Sequence, residues 1–154
     1  MFNLKKLILF TFLIMIYGCG YTPLFNEQRN NFNIGEINAT GDRQINNNIV
    51  SYLKKFQKKD ENSKEYDLII STNYAKIVVD KDNKGNPKNY NIKVKTSVIA
   101  TSPTGNEVSK IFERTISLAA QTKKIDEKEL ESKHKEDISD LIGKDIIFLL
   151  TTSN

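Results

Sequence analysis

The tightest constraint on this chain lies in its first nineteen residues, because they decide what is left to fold. Met1 to Lys6 is short and ends in two lysines, Lys5 and Lys6, followed by the apolar run LILFTFLIMI from Leu7 to Ile16. Tyr17, Gly18 and Cys19 close the segment. A charged start, an apolar middle and a small residue at the exit make a secretory signal. The run is too short to span a bilayer, which takes roughly 20 apolar residues. Taking residues 1–18 from the 154 leaves 136, enough for one modest core and not for two domains. Cys19 is the only cysteine, so an internal disulfide is excluded.

A cysteine placed directly after a small residue at such an exit has a specific chemical use. Ile16-Tyr17-Gly18-Cys19 resembles the bacterial lipobox, with Tyr17 where a small residue is usual. The resemblance implies that residues 1–18 are a lipoprotein signal peptide and that the Cys19 thiol receives diacylglycerol before cleavage. A multiply acylated Cys19 anchors stably, since two or more chains suffice. Gly20 follows without an acidic residue, which by resemblance to enteric sorting rules favours the outer membrane, with the domain facing the periplasm.

Charge is nearly balanced but uneven. The chain carries 23 basic and 19 acidic residues, and loss of Lys5 and Lys6 leaves 21 against 19, or +2. That balance gives no reason to expect nucleic-acid binding. Residues 76–124 hold ten Lys/Arg against four Asp/Glu, and residues 125–154 hold four against eight. A basic middle and an acidic end are two solvated faces or one docking polarity.

The rest reads as one α+β domain, residues 34–150, after an extended lead-in at 19–33 and before a polar tail at 151–154. Asn33–Ile37 is a short strand, and Gly41-Asp42 offers a turn and helix N-cap. Ile45, Ile49, Leu53 and Phe56 recur at helical spacing, giving an amphipathic helix to about Lys58. Tyr66–Asp80 has strand chemistry. Its apolar register changes parity between Leu68/Ile70 and Ala75/Ile77/Val79, which predicts a bulge or bend near Thr72–Tyr74. Lys81–Lys88 is a turn. Asn89–Thr101 alternates Ile92, Val94, Thr96, Val98 and Ala100 against Lys93, Lys95 and Ser97. Ser102–Asn106 is a hairpin loop, and Val108–Ala120 a further strand. A final helix starts at Asp126, with Leu130, His134, Ile138, Leu141, Phe148 and Leu149 as its stripe, widened by Ile142 and Ile146. The order β-α-β-β-β-α predicts a two-layer sandwich, a four-stranded, mostly antiparallel sheet covered on one face by two helices. Lys93, Lys95 and their polar neighbours then face water or a partner.

No set of residues argues for catalysis. His134 is the only histidine and lacks an orienting partner in the sequence. One His and one acylated Cys cannot build a structural zinc site, so neither metal nor cofactor is expected. The carboxylates of Asp126–Asp145 alternate with lysines as on a solvated helix. More suggestive is the basic middle: Lys81, Lys84 and Lys88 gather at one hairpin, with Lys110 on the following strand. Lysines at a loop tip hold phosphate groups as mobile point charges, and equally keep a sheet edge soluble.

The segment Gly18-Cys19-Gly20-Tyr21-Thr22-Pro23-Leu24-Phe25 resembles the start of the mature LPS-assembly lipoproteins (the LptE family), especially alphaproteobacterial members. Their fold order is similar to the one inferred here over residues 19–150. The resemblance implies a lipid-anchored outer-membrane protein that is not an enzyme. It implies a plug inside a large β-barrel of the LPS translocon, assisting barrel assembly and delivery of lipopolysaccharide to the outer leaflet. It also implies LPS contact through basic residues at strand-connecting loops, here Lys81, Lys84, Lys88 and Lys110. The same anchor and layout would serve a second role, a periplasm-facing binding or accessory lipoprotein of a transporter or cell-wall enzyme.

Overall fold

The computed structural model describes residues 32–57 and 63–153. Cys19, the signal segment and most of the lead-in lie outside these residues. The elements are β1 (Phe32–Gly41), α1 (Arg43–Leu53) with a 3-10 turn at Lys54–Phe56, β2 (Lys64–Lys81), β3 (Pro87–Thr101), β4 (Glu107–Ala119) and α2 (Lys124–Thr152). They form a two-layer α+β sandwich with one four-stranded sheet in the order β1-β2-β3-β4. β1 runs parallel to β2, and the other neighbours are antiparallel.

The passage from β1 to α1 is the most constrained joint. Gly41 has φ +103°, and a Cβ there would sit 1.8 Å from the Thr72 carbonyl oxygen. Only glycine allows that approach. The next residue donates its backbone N–H to the same Thr72 oxygen at 3.1 Å, and the Asp42 side chain accepts from Ile45 N–H at 3.0 Å. The chain thus leaves the sheet, caps a helix and turns back over it within three residues. Ile45, Ile49, Leu53 and Phe56 are buried, so the expected α1 face is the observed one.

Side chains alternate along the strands as the pleat requires. Tyr66, Leu68, Ile70, Ile92, Val94, Val98, Ala100, Phe112 and Leu118 are buried beneath the two helices. The hairpins share one design. Asp82–Asn86 and Ser102–Asn106 each close with the first residue donating N–H to the fifth carbonyl, and the glycine donating back to the first. Gly85 and Gly105 both take positive φ, +85° and +83°.

Three expectations need correction. No bulge occurs near Thr72–Tyr74: β2 and β3 pair without interruption from Asp67↔Thr101 to Val78↔Tyr90, and the irregularities fall at Val78–Lys81. The covered face therefore continues through Tyr74 and Lys76, while Ala75 and Ile77 look outward. The change of apolar parity is instead a change in what the helix offers the sheet. In α2 the buried ladder is Ile138, Ile142, Ile146 and Leu150, joined by Ile147, Ser139 and Gly143. Leu141 and Phe148, expected inside, are 48% and 55% exposed. Packing of α1 against α2 selects this ladder, since a Cβ on Gly143 would lie 2.7 Å from the Tyr52 ring. β1 is also longer than the five residues expected, because its C-terminal half is polar yet still pairs with β2 as far as Thr72.

Candidate functional site

The helices leave one whole face of the sheet uncovered. Across its middle, Lys93 lies opposite Ala75 and Thr115, and Lys95 opposite Asn73 and Glu113. Lys93 Nζ is 3.5 Å from Glu113 Oε1, a half-exposed pair that crosses between β3 and β4. Asn73, Ala75, Lys93, Val94, Lys95 and Glu113 line a shallow concavity of about 360 Å³. The expected polar outer face is therefore present, with Lys93 and Lys95 at its centre.

Farther along the strands the same face carries exposed isoleucines, which the sequence reading missed. Ile69 is 51% exposed, Ile77 47% and Ile111 57%, all on outward-facing positions. Ile69 stands directly opposite Ile99, and Ile111 opposite Ser97, so Ile69, Ile99 and Ile111 form one patch near the Ser102–Asn106 hairpin. Isolated exposed isoleucines are ordinary, whereas neighbouring ones on three adjacent strands mark a contact surface. The signal was available: Ile69, Ile99 and Ile111 each occupy the polar parity of their strand.

The four lysines singled out by sequence do not converge. Lys81, Lys84 and Lys88 gather at the β2–β3 hairpin, as expected. Their charge is partly offset, because Lys88 faces Asp80 at 3.7 Å and Asp82 sits at the base of the loop. Asp82 accepts from Lys84 and Asn86 backbone N–H at 2.8 Å each; these bonds and that of the Asn86 side chain hold its carboxyl below the usual carboxylate range. Lys110 pairs with Val98, ten residues along β3 from Lys88. At ~3.3 Å per residue, that places it about 33 Å away at the opposite end of the sheet. Its Nζ lies 5.6 Å from the Phe112 ring centre, on the helix-covered side. His134 is half-buried on α2.

A second polar cluster sits between sheet and helix. Lys76 Nζ reaches Glu127 Oε1 at 2.8 Å and Glu131 Oε2 at 2.9 Å, and Tyr74 Oη donates to Glu131 Oε1 at 2.6 Å. Lys135 Nζ bonds Asp42 Oδ2 at 2.9 Å and lies 3.8 Å from the Tyr74 ring centre. Burial alone would raise the Glu131 pKa, but the bonds from Tyr74 and Lys76 outweigh it and lower the value. The Lys76 bond lowers that of Glu127, while burial and the Glu131 contact raise the Tyr74 phenol. Every charge here has a partner, so the cluster is a clasp that seats α2.

The same fold occurs in solved bacterial lipoproteins. Rare lipoprotein B from Shewanella oneidensis superposes with a TM-score of 0.51 at 9% identity, over 73% of this chain and 93% of that one. Minor lipoprotein from Acinetobacter baumannii gives 0.50 at 14% identity, over 73% and 91%. Lipoprotein B from Nitrosomonas europaea gives 0.52 at 9% identity, over 82% and 88%. No protein-family model and no curated protein sequence matches the chain. At these identities the likeness is one of fold. Among the described residues, no helix is long and apolar enough to cross a membrane.

Proposed function

We propose that this chain is a lipid-anchored outer-membrane component of the LPS translocon, a non-enzymatic plug that assists assembly of a large β-barrel and helps lipopolysaccharide reach the outer leaflet. The observation that carries the reading is the uncovered sheet face, long strands bearing Lys93, Lys95 and Glu113 amid Ile69, Ile77 and Ile111. A mixed surface of that kind suits the wall of a wide barrel, whose interior is polar. The lipoprotein fold and the Cys19 octapeptide support it. On this reading the hairpin lysines Lys81, Lys84 and Lys88 offer their ammonium groups to LPS phosphates, and Lys110 acts from the far end of the sheet. Anchoring through Cys19 raises the effective concentration beside the barrel.

The test is a tagged pull-down from detergent-solubilised outer membranes, with mass spectrometry of what co-purifies. One large β-barrel at equal stoichiometry is the expected result. Ile111→Asp and Lys93→Glu should each reduce barrel recovery without changing the thermal melt of the free chain. Inner-membrane transporter subunits in place of the barrel would favour the accessory-lipoprotein role. Recovery of a lone monomer would overturn the translocon reading.

A further inference from the structure

One end of the molecule holds both the way out to Cys19 and a charge sorted by face. The two helices run side by side in the same direction. Gln44 Nε2 donates to Ser132 Oγ at 2.6 Å near their starts, and Gly143 abuts the Tyr52 ring near the end of α1. The end of α1 is tied in turn to the start of β1, where Gln57 Nε2 donates to the Gly35 carbonyl at 2.6 Å. The last turns of α2 and the first residue of β1 therefore lie at one end of the sheet. On the helix side of that end stand the exposed Lys54, Lys55 and Lys64, the last opposite Phe32 in the β1–β2 register. On the open side stand the exposed Glu65, Asp67 and Glu107, at the outward parity of Ile69 and Ile111. Among the described residues, no ion pair holds any of the three lysines. The end of α2 adds an apolar group without opposing charge: Ile146 to Ser153 has no charged side chain, and Phe148 is 55% exposed. Residues 58–62, outside the described residues, hold two lysines, one aspartate and one glutamate, and so no net charge.

We propose that the helix side of this end seats on the bilayer that carries the anchor, with Lys54, Lys55 and Lys64 among anionic phospholipid headgroups and Phe148 in the interface. The inference rests on the lipid anchor of the reading above and not on the barrel. Reach selects the end. Phe32 is 13 residues past Cys19, and a chain of that length spans at most about 47 Å. The hairpin lysines sit at the other end of β2, where Lys81 is 17 residues beyond Lys64, or about 56 Å at ~3.3 Å per residue. A domain tethered at Cys19 cannot stand on that hairpin, whereas the Phe32 end is always within reach of the bilayer. Charge selects the side. Each lysine near an anionic surface shifts the seated fraction about fivefold, and its long stem lets the ammonium settle among the headgroups. A domain rolled onto its open side would bring Glu65, Asp67 and Glu107 to the same headgroups and be repelled. Seating on the helix side also keeps the Lys93 face clear of lipid, where a docking partner can reach it.

The experiment uses the full-length acylated chain in vesicles that hold no other protein. One set is phosphatidylethanolamine with phosphatidylglycerol, the other phosphatidylcholine. An environment-sensitive fluorophore is attached at Thr152→Cys, one turn beyond Phe148, or at Lys84→Cys in the far hairpin; acylation leaves Cys19 without a free thiol. Lipid-borne quenchers are expected to darken the probe at 152 in the anionic vesicles and to spare the probe at 84. Lys54→Gln combined with Lys55→Gln should lower the seated-to-free ratio about thirtyfold with an unchanged thermal melt. Added salt should lower it as well. Equal quenching at 152 and 84, equal quenching in both kinds of vesicle, or a ratio that the lysine substitutions leave unchanged overturns the proposal. So does an acylated chain whose probe at 152 stays bright throughout. A chain whose mass shows no lipid on Cys19 overturns the anchor and the proposal together, whereas a missing barrel in the pull-down overturns the translocon reading alone.

Discussion

The two ends of α2 are held to the same sheet by different chemistry. From Ile138 to Leu150 the helix presents five buried aliphatic side chains to Ile92, Val94, Val98 and their neighbours. From Glu127 to Lys135 it presents carboxylates and a lysine to Tyr74, Lys76 and Asp42, with Leu130 as the partly buried apolar contact. The first half is insensitive to pH and unforgiving of lost volume. The second tolerates loss of volume but depends on protonation and on each partner keeping its place. Thr72 and Thr96, buried with their hydroxyls 3.2 Å apart, mark the border.

The largest effect is expected at the β1–α1 joint, which packs on Thr72 at the border of these halves. Gly41→Ala puts a methyl group 1.8 Å from the Thr72 carbonyl oxygen at a φ that alanine avoids. Relief requires pulling β1 away from β2 or releasing the α1 cap, for a loss of about 3 kcal/mol or more. Denaturant unfolding measures it directly. A loss under ~1 kcal/mol would mean the joint is soft and the two halves are not organised around it.

Within the apolar half, Ile142→Ala is expected to cost about 2–5 kcal/mol, because the fully buried site cannot collapse around the cavity. Gly143→Ala is the opposite error. Its methyl meets the Tyr52 ring at 2.7 Å, and since the ring can tilt the expected loss is smaller, about 1–2 kcal/mol. If the two substitutions cost the same, α1 is not pressed against α2 as closely as the contact implies.

The polar half should respond less to truncation and more to acid. Glu131→Gln keeps the shape and removes the charge that faces Lys76 and Tyr74, an expected loss of about 1–2 kcal/mol. Glu127 and Glu131 have pKa values lowered in the fold, as does Asp42, where bonds from Ile45 N–H and Lys135 outweigh burial. A carboxylate with a lowered folded pKa adds stability above its unfolded value and loses it as pH falls through the folded one. Taking the protein from about pH 7 to about pH 3 should therefore raise amide exchange in 124–136 before it does so in 138–150, after correction for intrinsic rates. Loss of protection in both halves together would show that the clasp and the aliphatic ladder open as one unit.

How far these halves were legible in the sequence follows from the same chemistry. The α1 face and β3 were readable because their apolar residues follow one period without competition. In α2 two stripes compete, Leu130–His134–Ile138–Leu141 and Ile138–Ile142–Ile146–Leu150, and only the position of α1 decides between them. The stretch Tyr74–Val79 misled because periodicity assigns apolar residues to the core. Here Tyr74 and Lys76 face the helix, satisfied by Glu131 and Glu127 some fifty residues away, and such partners leave no local mark. Of the candidate site, Lys93 and Lys95 were placed correctly by alternation alone. The separation of Lys110 from the hairpin lysines depends on the register of β3 with β4, which single-residue patterns do not carry.

The smallest expected effect sharpens the comparison from outside both halves. Lys93 and Glu113 form a pair on the uncovered face, each 52% exposed, where solvent and salt screen the attraction and two long side chains lose freedom to form it. Lys93→Ala should therefore change stability by no more than ~0.5 kcal/mol. A cost well above that would make the open face a third structural layer that supports the fold, and the reading of it as a free docking surface would weaken. A negligible cost leaves the lysine without a structural task. Any fall in partner recovery caused by the same substitution then reports the surface itself rather than damage to the fold.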